Sequence, residues 1–352
     1  MKTVFVAMSG GIDSSFAAHL LRKEGFKVVG ITFQLLPDNR NYVNNSKACC
    51  SNETVLKAKR IADALSIPHY VINLREEFKE LVIEQFINEY RAGRTPNPCV
   101  LCNRFIKFSA FFQKALAIGG EYIATGHYAK IEKKSKTYSL NKATDKAKDQ
   151  SYFLYSIKKD QLNRILFPLG AYTKSAIFSS IREMGWENSD AYKESQDICF
   201  VPSGQFHLFL SKFIQLEKGP IYSVEGKLMG YHKGIHLYTI GQRKGLNIPY
   251  KEPLYVIETR PDENCLVVGS KSQLVRKKLT ATSINLLSDI CHNVAGKVRY
   301  RQKEQSCSYS VKDNIMKVEF DEPIDAITPG QSVVLYKQDE VIGGGIIENS
   351  SL

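Results

Sequence analysis

The stretch Ser9-Gly10-Gly11-Ile12-Asp13-Ser14-Ser15 lies between an apolar run, Thr3 to Met8, and a helical pattern, Phe16-Ala17-Ala18-His19-Leu20-Leu21. A strand, a glycine turn and a helix start, in that order, make an anion site. Residues without side chains let backbone N–H groups close on phosphate oxygens, while the first-turn amides and the helix dipole favour negative charge. An ordinary turn with an N-cap would use the same residue types. The position between a strand and an amphipathic helix is what favours the phosphate cradle. A lysine-bearing P-loop is excluded, because Gly226-Lys227 and Gly296-Lys297 are followed by Leu228 and Val298. A dinucleotide-type Gly-x-Gly-x-x-Gly is absent as well.

Outward from the cradle, Lys27 to Phe33, His69 to Leu74 and Glu121 to Thr125 read as further strands, with helical faces over Glu53 to Ser66 and Glu76 to Tyr90. Strands alternating with helices predict a parallel, Rossmann-like α/β sheet. Ligands of such sheets bind outside the carboxyl ends of the strands, so Ser9 to Ser15, Phe33 and Gly126-His127 should converge on one nucleotide. The Asn-rich stretch Pro37 to Ser46 reads as a loop. In Arg94-Thr95-Pro96-Asn97-Pro98-Cys99-Val100-Leu101-Cys102-Asn103 the prolines should hold a loop ahead of a helix from about Arg104 to Ala117. Two more helical patterns cover Lys158 to Phe167 and Thr173 to Met184. From about Gly219 the chain turns to short β-rich runs, including Arg299 to Val311, Ile315 to Asp321, Gln331 to Tyr336 and Val341 to Ile347. That predicts a C-terminal β-barrel after a small central domain. The expected boundaries are 1–203, 204–273 and 274–352.

The 352 residues are 43% hydrophobic, enough for several cores, and no apolar run approaches the roughly 20 residues that span a bilayer. The N-terminus enters a strand without a secretory pattern, so a cytoplasmic protein is expected. A net charge of +12 suggests a polyanionic partner. It is most pointed where bases mix with aromatics and amides, as in Arg299-Tyr300-Arg301-Gln302-Lys303; Lys133-Lys134 and Arg276-Lys277-Lys278 read as solvated surface.

Eight cysteines in such a chain argue for thiol chemistry or metal sites rather than a disulfide framework. Cys99 and Cys102 precede a helix, where the dipole favours thiolate. Taken alone, Cys99-x-x-Cys102 reads as a redox dithiol, half a zinc site or chance. A four-cysteine zinc site lacks its second Cys-x-x-Cys. Cys49-Cys50 sit in a polar stretch, and Cys265, Cys291 and Cys307 read as core or surface thiols.

The cradle, together with Gly93-Arg-Thr-Pro-Asn-Pro98, Cys102-Asn103, Ile106-Lys-Phe108, Ala124-Thr-Gly-His-Tyr128, Lys148-Asp-Gln-Ser-Tyr-Phe-Leu154, Ile198-Cys-Phe200, Thr239-Ile-Gly-Gln-Arg-Lys-Gly-Leu246, Arg299-Tyr-Arg-Gln302 and Thr328-Pro-Gly-Gln331, resembles the bacterial tRNA-specific 2-thiouridylases. The match runs in order along essentially the whole chain. The cradle by itself is shared with GMP, NAD and argininosuccinate synthetases. The resemblance implies an N-type ATP pyrophosphatase domain, a central tRNA-binding domain and a tRNA-gripping barrel. It also implies the reaction: ATP and Mg²⁺ adenylate C2–O of wobble uridine 34 in tRNAs for Lys, Glu and Gln, and sulfur then displaces AMP.

By the same resemblance, Ala7, Met8, Ser9, Gly10, Gly11, Ile12, Asp13, Ser14, Phe33 and Gly126 bind the nucleotide. Cys199 carries a persulfide from a cysteine desulfurase or sulfur-relay protein, and Cys102 resolves it, leaving a Cys102–Cys199 disulfide. Asn97, Pro98 and Cys99 face the target base, and His127, Lys148, Asp149, Gln150, Arg299, Tyr300 and Gln331 contact tRNA. A monomer is expected. Cys99 stands where many members of that family have Asp. This opens an alternative in which Cys99, Cys102 and Cys199 hold a [4Fe-4S] cluster with one iron open to hydrosulfide. Two further readings are a small-molecule ligase or amidotransferase, which would leave Cys102 and Cys199 without work, and a non-catalytic RNA-binding protein, against which the intact Gly10-Gly11 and Asp13 argue.

Overall fold

A computed structural model describes residues 1–36, 52–184 and 198–351. The Pro37 to Ser46 stretch, Cys49, Cys50 and Ser195 to Asp197 lie outside them. The chain divides into two compact units, one of residues 1–83, 98–205 and 339–341, the other of 84–97, 206–338 and 342–352.

The first unit is built on a five-stranded sheet. Its strands are β1 (Thr3–Ala7), β2 (Lys27–Gln34), β3 (His69–Asn73), β4 (Tyr122–Thr125) and β5 (Ile165–Leu166), in the order β3-β2-β1-β4-β5. All pairs are parallel, with Ala7 level with Ile31 on one side and Thr125 on the other. The order reverses between β1 and β4, so the carboxyl ends of those two strands flank the crevice where open α/β sheets take ligands. Val4, Val6, Ala18, Leu21 and Val28 seal the sheet beneath the helices as one apolar cluster. Helix α1 (Ile12–Lys23) follows β1 through the cradle and already includes Ile12 to Ser15, ahead of the apolar pattern that starts at Phe16.

Four features depart from the sequence reading. The prolines of 94–103 do not keep helix away: the helix starts at Pro98, runs through Pro98–Leu101, widens into a π-helical stretch Cys102–Phe111 and ends as Phe112–Ala117. Proline suits the first helical position, where its missing N–H would have no intrahelical partner. Cys99 and Cys102 therefore ride on helix. The pattern over Lys158 to Phe167 forms only a short 3₁₀ stretch, Lys159–Arg164, before β5 takes Ile165 and Leu166 into the sheet. A β-hairpin of Ala129–Lys134 and Thr137–Lys142 occupies a region assigned no element from sequence. The helical pattern over Glu76 to Tyr90 is realised in three pieces, Arg75–Phe78, a π segment Lys79–Glu84, and Gln85–Arg91.

The second unit contains a four-stranded sheet of Tyr255–Arg260, Cys265–Gly269, Gly219–Ser223 and Leu228–His232, over a core of Ile221, Ile235, Val256, Leu266 and Val268. It also contains an antiparallel barrel, whose strands run in the order Val275–Leu286, Ile315–Asp325, Gln305–Lys312, Val294–Lys297, Ser332–Lys337 and Glu340–Ser351. The last pairs back onto the first, from Lys278 opposite Ser351 to Leu286 opposite Gly343, which removes the exposed edges. Leu279, Phe320, Val333 and Leu335 fill its interior.

Helix Lys174–Glu183 begins where Thr173 accepts a hydrogen bond from the Ala176 N–H. Thr173→Ala should cost about 1 kcal/mol in urea unfolding, the usual worth of such a cap. An unchanged midpoint would show that the helix start is held by its other contacts.

Candidate active site

The cradle is braced by its own serines. Ser14 and Ser15 each donate a side-chain hydrogen bond to the Gly11 carbonyl (3.0 and 2.8 Å), and the Ser9 N–H donates to Ser14 Oγ (3.1 Å). Gly10 has φ +68°, a conformation that side-chain-bearing residues rarely adopt, and this lets the chain turn back on itself into α1. Gly11 is the N-cap of α1 and offers no side chain, so the first-turn amides have no side-chain cap. Across the crevice, Gly126 follows β4 so closely that a Cβ there would lie 2.7 Å from the Ser14 nitrogen and 2.8 Å from the Asp13 carbonyl carbon. A glycine is therefore required at both edges of the crevice. These features fit a nucleotide phosphate.

Asp13 reaches from the first turn of α1 to Lys174, whose Nζ stands 2.6 and 2.8 Å from the two carboxylate oxygens. The Tyr128 hydroxyl donates to the same carboxylate at 2.6 Å. Lys174 is buried, and its ammonium lies over the rings of Tyr128 and Phe178. Its backbone N–H is fixed on Asp145 (2.9 Å). Gln150 in turn holds Tyr128 at both ends of its peptide unit, accepting from Tyr128 N–H and donating to its carbonyl. A cation thus stands beside the phosphate loop although no Gly-Lys-Ser motif exists. The donor set of one carboxylate, hydroxyls and backbone amides suits a triphosphate with Mg²⁺.

The end of β4 also meets the cysteine-bearing helix. His127 Nδ1 is 2.7 Å from Thr125 Oγ1, and its Nε2 is 3.4 Å from Lys107 Nζ. Phe108 and Phe167 flank the imidazole at 6.1 and 6.0 Å. Burial among these groups, and secondarily the Lys107 charge, hold the His127 pKa well below the ordinary imidazole value. Phe111, at the far end of the same π stretch, packs edge-on against Phe33 at 5.0 Å. Asn103, beside Cys102, is buried and donates to the Phe153 carbonyl (3.0 Å), while its Oδ1 finds no partner among the described residues. Phe200, beside Cys199, packs on Phe78 at 5.8 Å, and the Arg75–Phe78 turn contacts the Cys102–Phe111 stretch. Cys99 is exposed, and Cys102 and Cys199 are half-buried. Among the described residues no three His, Cys, Asp or Glu side chains gather to hold a metal ion, so the cluster alternative gains no support.

The residues expected on tRNA have varied internal work. Asp149 is buried and accepts from Ser151 Oγ (2.7 Å) and the Ala143 N–H (2.9 Å), tying its own turn to the hairpin strand. Lys148 is half-buried next to it. In the second unit, Arg299 Nη2 donates to the Ile240 carbonyl (2.6 Å) and to Thr328 Oγ1, Tyr300 lies under the Lys297 ammonium (5.6 Å), and Gln331 donates to the carbonyls of Thr95 and Pro96.

Comparisons with known proteins bear on this arrangement. Residues 2–203 match the family described as "tRNA methyl transferase HUP domain", 207–270 match "tRNA methyl transferase PRC-barrel domain" and 276–347 match "Aminomethyltransferase beta-barrel domain". The chain is 43% identical over 354 residues to "tRNA-specific 2-thiouridylase MnmA 1" of Clostridium botulinum, covering 99% of both chains. It is 44% identical over 358 residues to "tRNA-specific 2-thiouridylase MnmA" of Clostridioides difficile, again covering 99% of each. The chain belongs to the tRNA-specific 2-thiouridylase family. Among solved structures, NMN synthetase from Francisella tularensis aligns at TM-score 0.35 and 17% identity over 58% of this chain and 68% of that one, too distantly to bear on the fold.

For a member of the 2-thiouridylase family, the residue least visible in sequence is Lys174. It lies 161 positions from its partner Asp13, and its local context reads only as the start of a helix. The only available signal is a lone lysine in the first turn, where the dipole disfavours a cation unless something pairs with it. Lys174→Met should destabilise the fold by roughly 1–2 kcal/mol in urea, a buried-pair cost discounted because Asp13 is one-third exposed. A midpoint equal to wild type would show the pair to be energetically idle. A second test is pH. The unfolded chain protonates this imidazole near its ordinary value of 6.5, the folded chain only at lower pH. Stability should therefore fall as pH drops from about 7 to about 5, and His127→Gln should flatten that slope.

Proposed function

We propose that this chain is a tRNA-uridine 2-sulfurtransferase that adenylates and then thiolates C2 of wobble uridine 34, with tRNAs for Lys, Glu and Gln as substrates. The observation that carries the reading is the meeting, at the β1/β4 crevice, of a phosphate cradle with a helix bearing Cys102. His127, Lys107 and Phe108 join the two. A small-molecule ligase would need the cradle but not the cysteine helix beside it.

The chemistry follows from what each part offers. The C2 oxygen of uridine is amide-like and a poor leaving group, so it must first be activated. Its attack on the α-phosphorus of ATP expels pyrophosphate, and the cradle amides of Ser9 to Ser14 are suited to that charge as it develops. Asp13 would hold Mg²⁺, which supplies charge neutralisation on the leaving phosphates. Lys174 is placed to balance Asp13 on the inner side. In the second stage Cys102 thiolate attacks the Cys199 sulfur of a Cys199 persulfide. The S–S bond to the terminal sulfur breaks, a Cys102–Cys199 disulfide forms, and the released sulfur adds to C2 as AMP leaves. A thiol reductant then returns both cysteines. Cys99, in the first turn of its helix where the dipole favours a thiolate, takes the place of a carboxylate as proton acceptor. The persulfide itself would come from a cysteine desulfurase or a sulfur-relay protein.

The wobble base lies in a single-stranded loop, where bases are already partly unstacked and can be drawn into a crevice at modest cost. The +12 charge supplies a salt-dependent hold on the tRNA backbone. No helix among the described residues is long and apolar enough to cross a membrane. A monomeric cytoplasmic enzyme is the form proposed.

Cys199→Ser should abolish 2-thiouridine in purified substrate tRNA while tRNA-dependent pyrophosphate release continues. Thiolation retained by that variant would overturn the assignment.

A further inference from the structure

Residues Gly93 to Asn97 run straight into Pro98, and every hydrogen bond or ion pair that the structure records for Gly93 to Pro96 lies within the second unit. The Thr95 N–H donates to the Pro329 carbonyl (2.9 Å), and Thr95 Oγ1 meets Thr239 Oγ1 (3.1 Å). Thr259 Oγ1 donates to the Gly93 carbonyl (3.2 Å). Arg94 forks between Glu89 and Glu348. Gln331 closes the set, with its Nε2 2.8 Å from the Thr95 carbonyl and 3.2 Å from that of Pro96.

The chemistry of this segment makes Gln331 hard to replace. Pro96 and Pro98 have no N–H, so the backbone around Asn97 can be gripped mainly through carbonyl oxygens, which demand a donor. A glutamine amide carries two N–H bonds on one nitrogen and can serve two successive carbonyls. Its own backbone is anchored in the barrel, donating to the Thr328 carbonyl (3.1 Å) and accepting from the Ile347 N–H (2.8 Å). The grip is therefore referred to a closed sheet rather than to a loose side chain.

We propose that Gln331 is a positioning residue for sulfur transfer. It fixes the backbone of Thr95 and Pro96, the residues that lead along the chain into the helix bearing Cys99 and Cys102, and it contributes to turnover rather than to tRNA affinity. This rests on the thiolation reading above and departs from the expectation that Gln331 contacts tRNA directly. Small displacements at a reacting base are costly, on the order of 10²-fold for about 1 Å.

The test uses the full chain with Gln331→Glu, which keeps the shape but turns an oxygen toward both carbonyls, and Gln331→Met, which removes the donor without adding charge. Single-turnover 2-thiouridine formation should fall by roughly 10- to 100-fold. The Kd for tRNA and its salt slope should stay within about twofold of wild type. Independently of any activity, hydrogen exchange at the Thr95 and Asn97 amides should accelerate in both variants while the barrel strands keep their protection. Loss of tRNA affinity in step with activity, with exchange at Thr95 and Asn97 unchanged, would overturn the proposal in favour of a direct tRNA contact. Unchanged activity would overturn it too. If wild type forms no 2-thiouridine, the functional reading fails, and the exchange arm still decides whether Gln331 holds the loop.

Discussion

The close approach of Gly126 to the first turn of α1 is the constraint on which the site depends. It sets the width of the crevice between β1 and β4, because nothing larger than hydrogen can stand there without pushing the helix start away from the sheet. The same approach brings the strand that carries Thr125, His127 and Tyr128 against the phosphate loop. Tyr128 then reaches Asp13, and His127 reaches Lys107 on the cysteine helix. One glycine therefore brings the Ser9 to Ser15 turn and the cysteine-bearing helix together in a single compact unit.

Electrostatics in that crevice are arranged by burial as much as by charge count. Lys174 and Asp13 are held face to face with an aromatic wall behind the ammonium. His127 is kept neutral where a charged imidazole would sit beside Lys107. The cysteines are graded the same way. Burial in the barrel pushes the Cys307 thiol up to about 12, whereas Cys99, in the first turn of its helix, is exposed and Cys102, in the next turn, is half-buried.

Much of the first unit was legible from sequence because its signals are local. Alternating apolar runs and helical faces gave the parallel sheet, and Ser9 to Ser15 carried its own turn chemistry. The misreadings came where a residue's meaning depends on partners far away or on position within an element. Pro98 reads locally as a barrier to helix, yet it is the first residue of one. Ile165 and Leu166 are too short a run to announce a strand, and only pairing with Ile123 and Ala124 makes them one. Lys174 has no local mark of its tie to Asp13. The Asp149 carboxylate has a structural tie to its own turn that its local sequence does not announce. Pairings across long sequence separations do not appear in hydrophobic period or turn composition, and these supplied most of what sequence left out.

The grouping of residues 84–97 with the C-terminal unit has a consequence for biosynthesis. The ribosome delivers the segment ahead of Cys99 and Cys102 early, but Thr239, Gln331 and Glu348, which hold it, emerge only as the chain nears completion. At about 5–20 residues per second, that leaves the segment waiting for on the order of ten seconds or more. During this interval the parallel sheet can assemble while residues 94–96 lack the partners that hold them. A chain cut short within the barrel would keep the sheet and the Ser9 to Ser15 turn but lose the donors that grip Thr95 and Pro96.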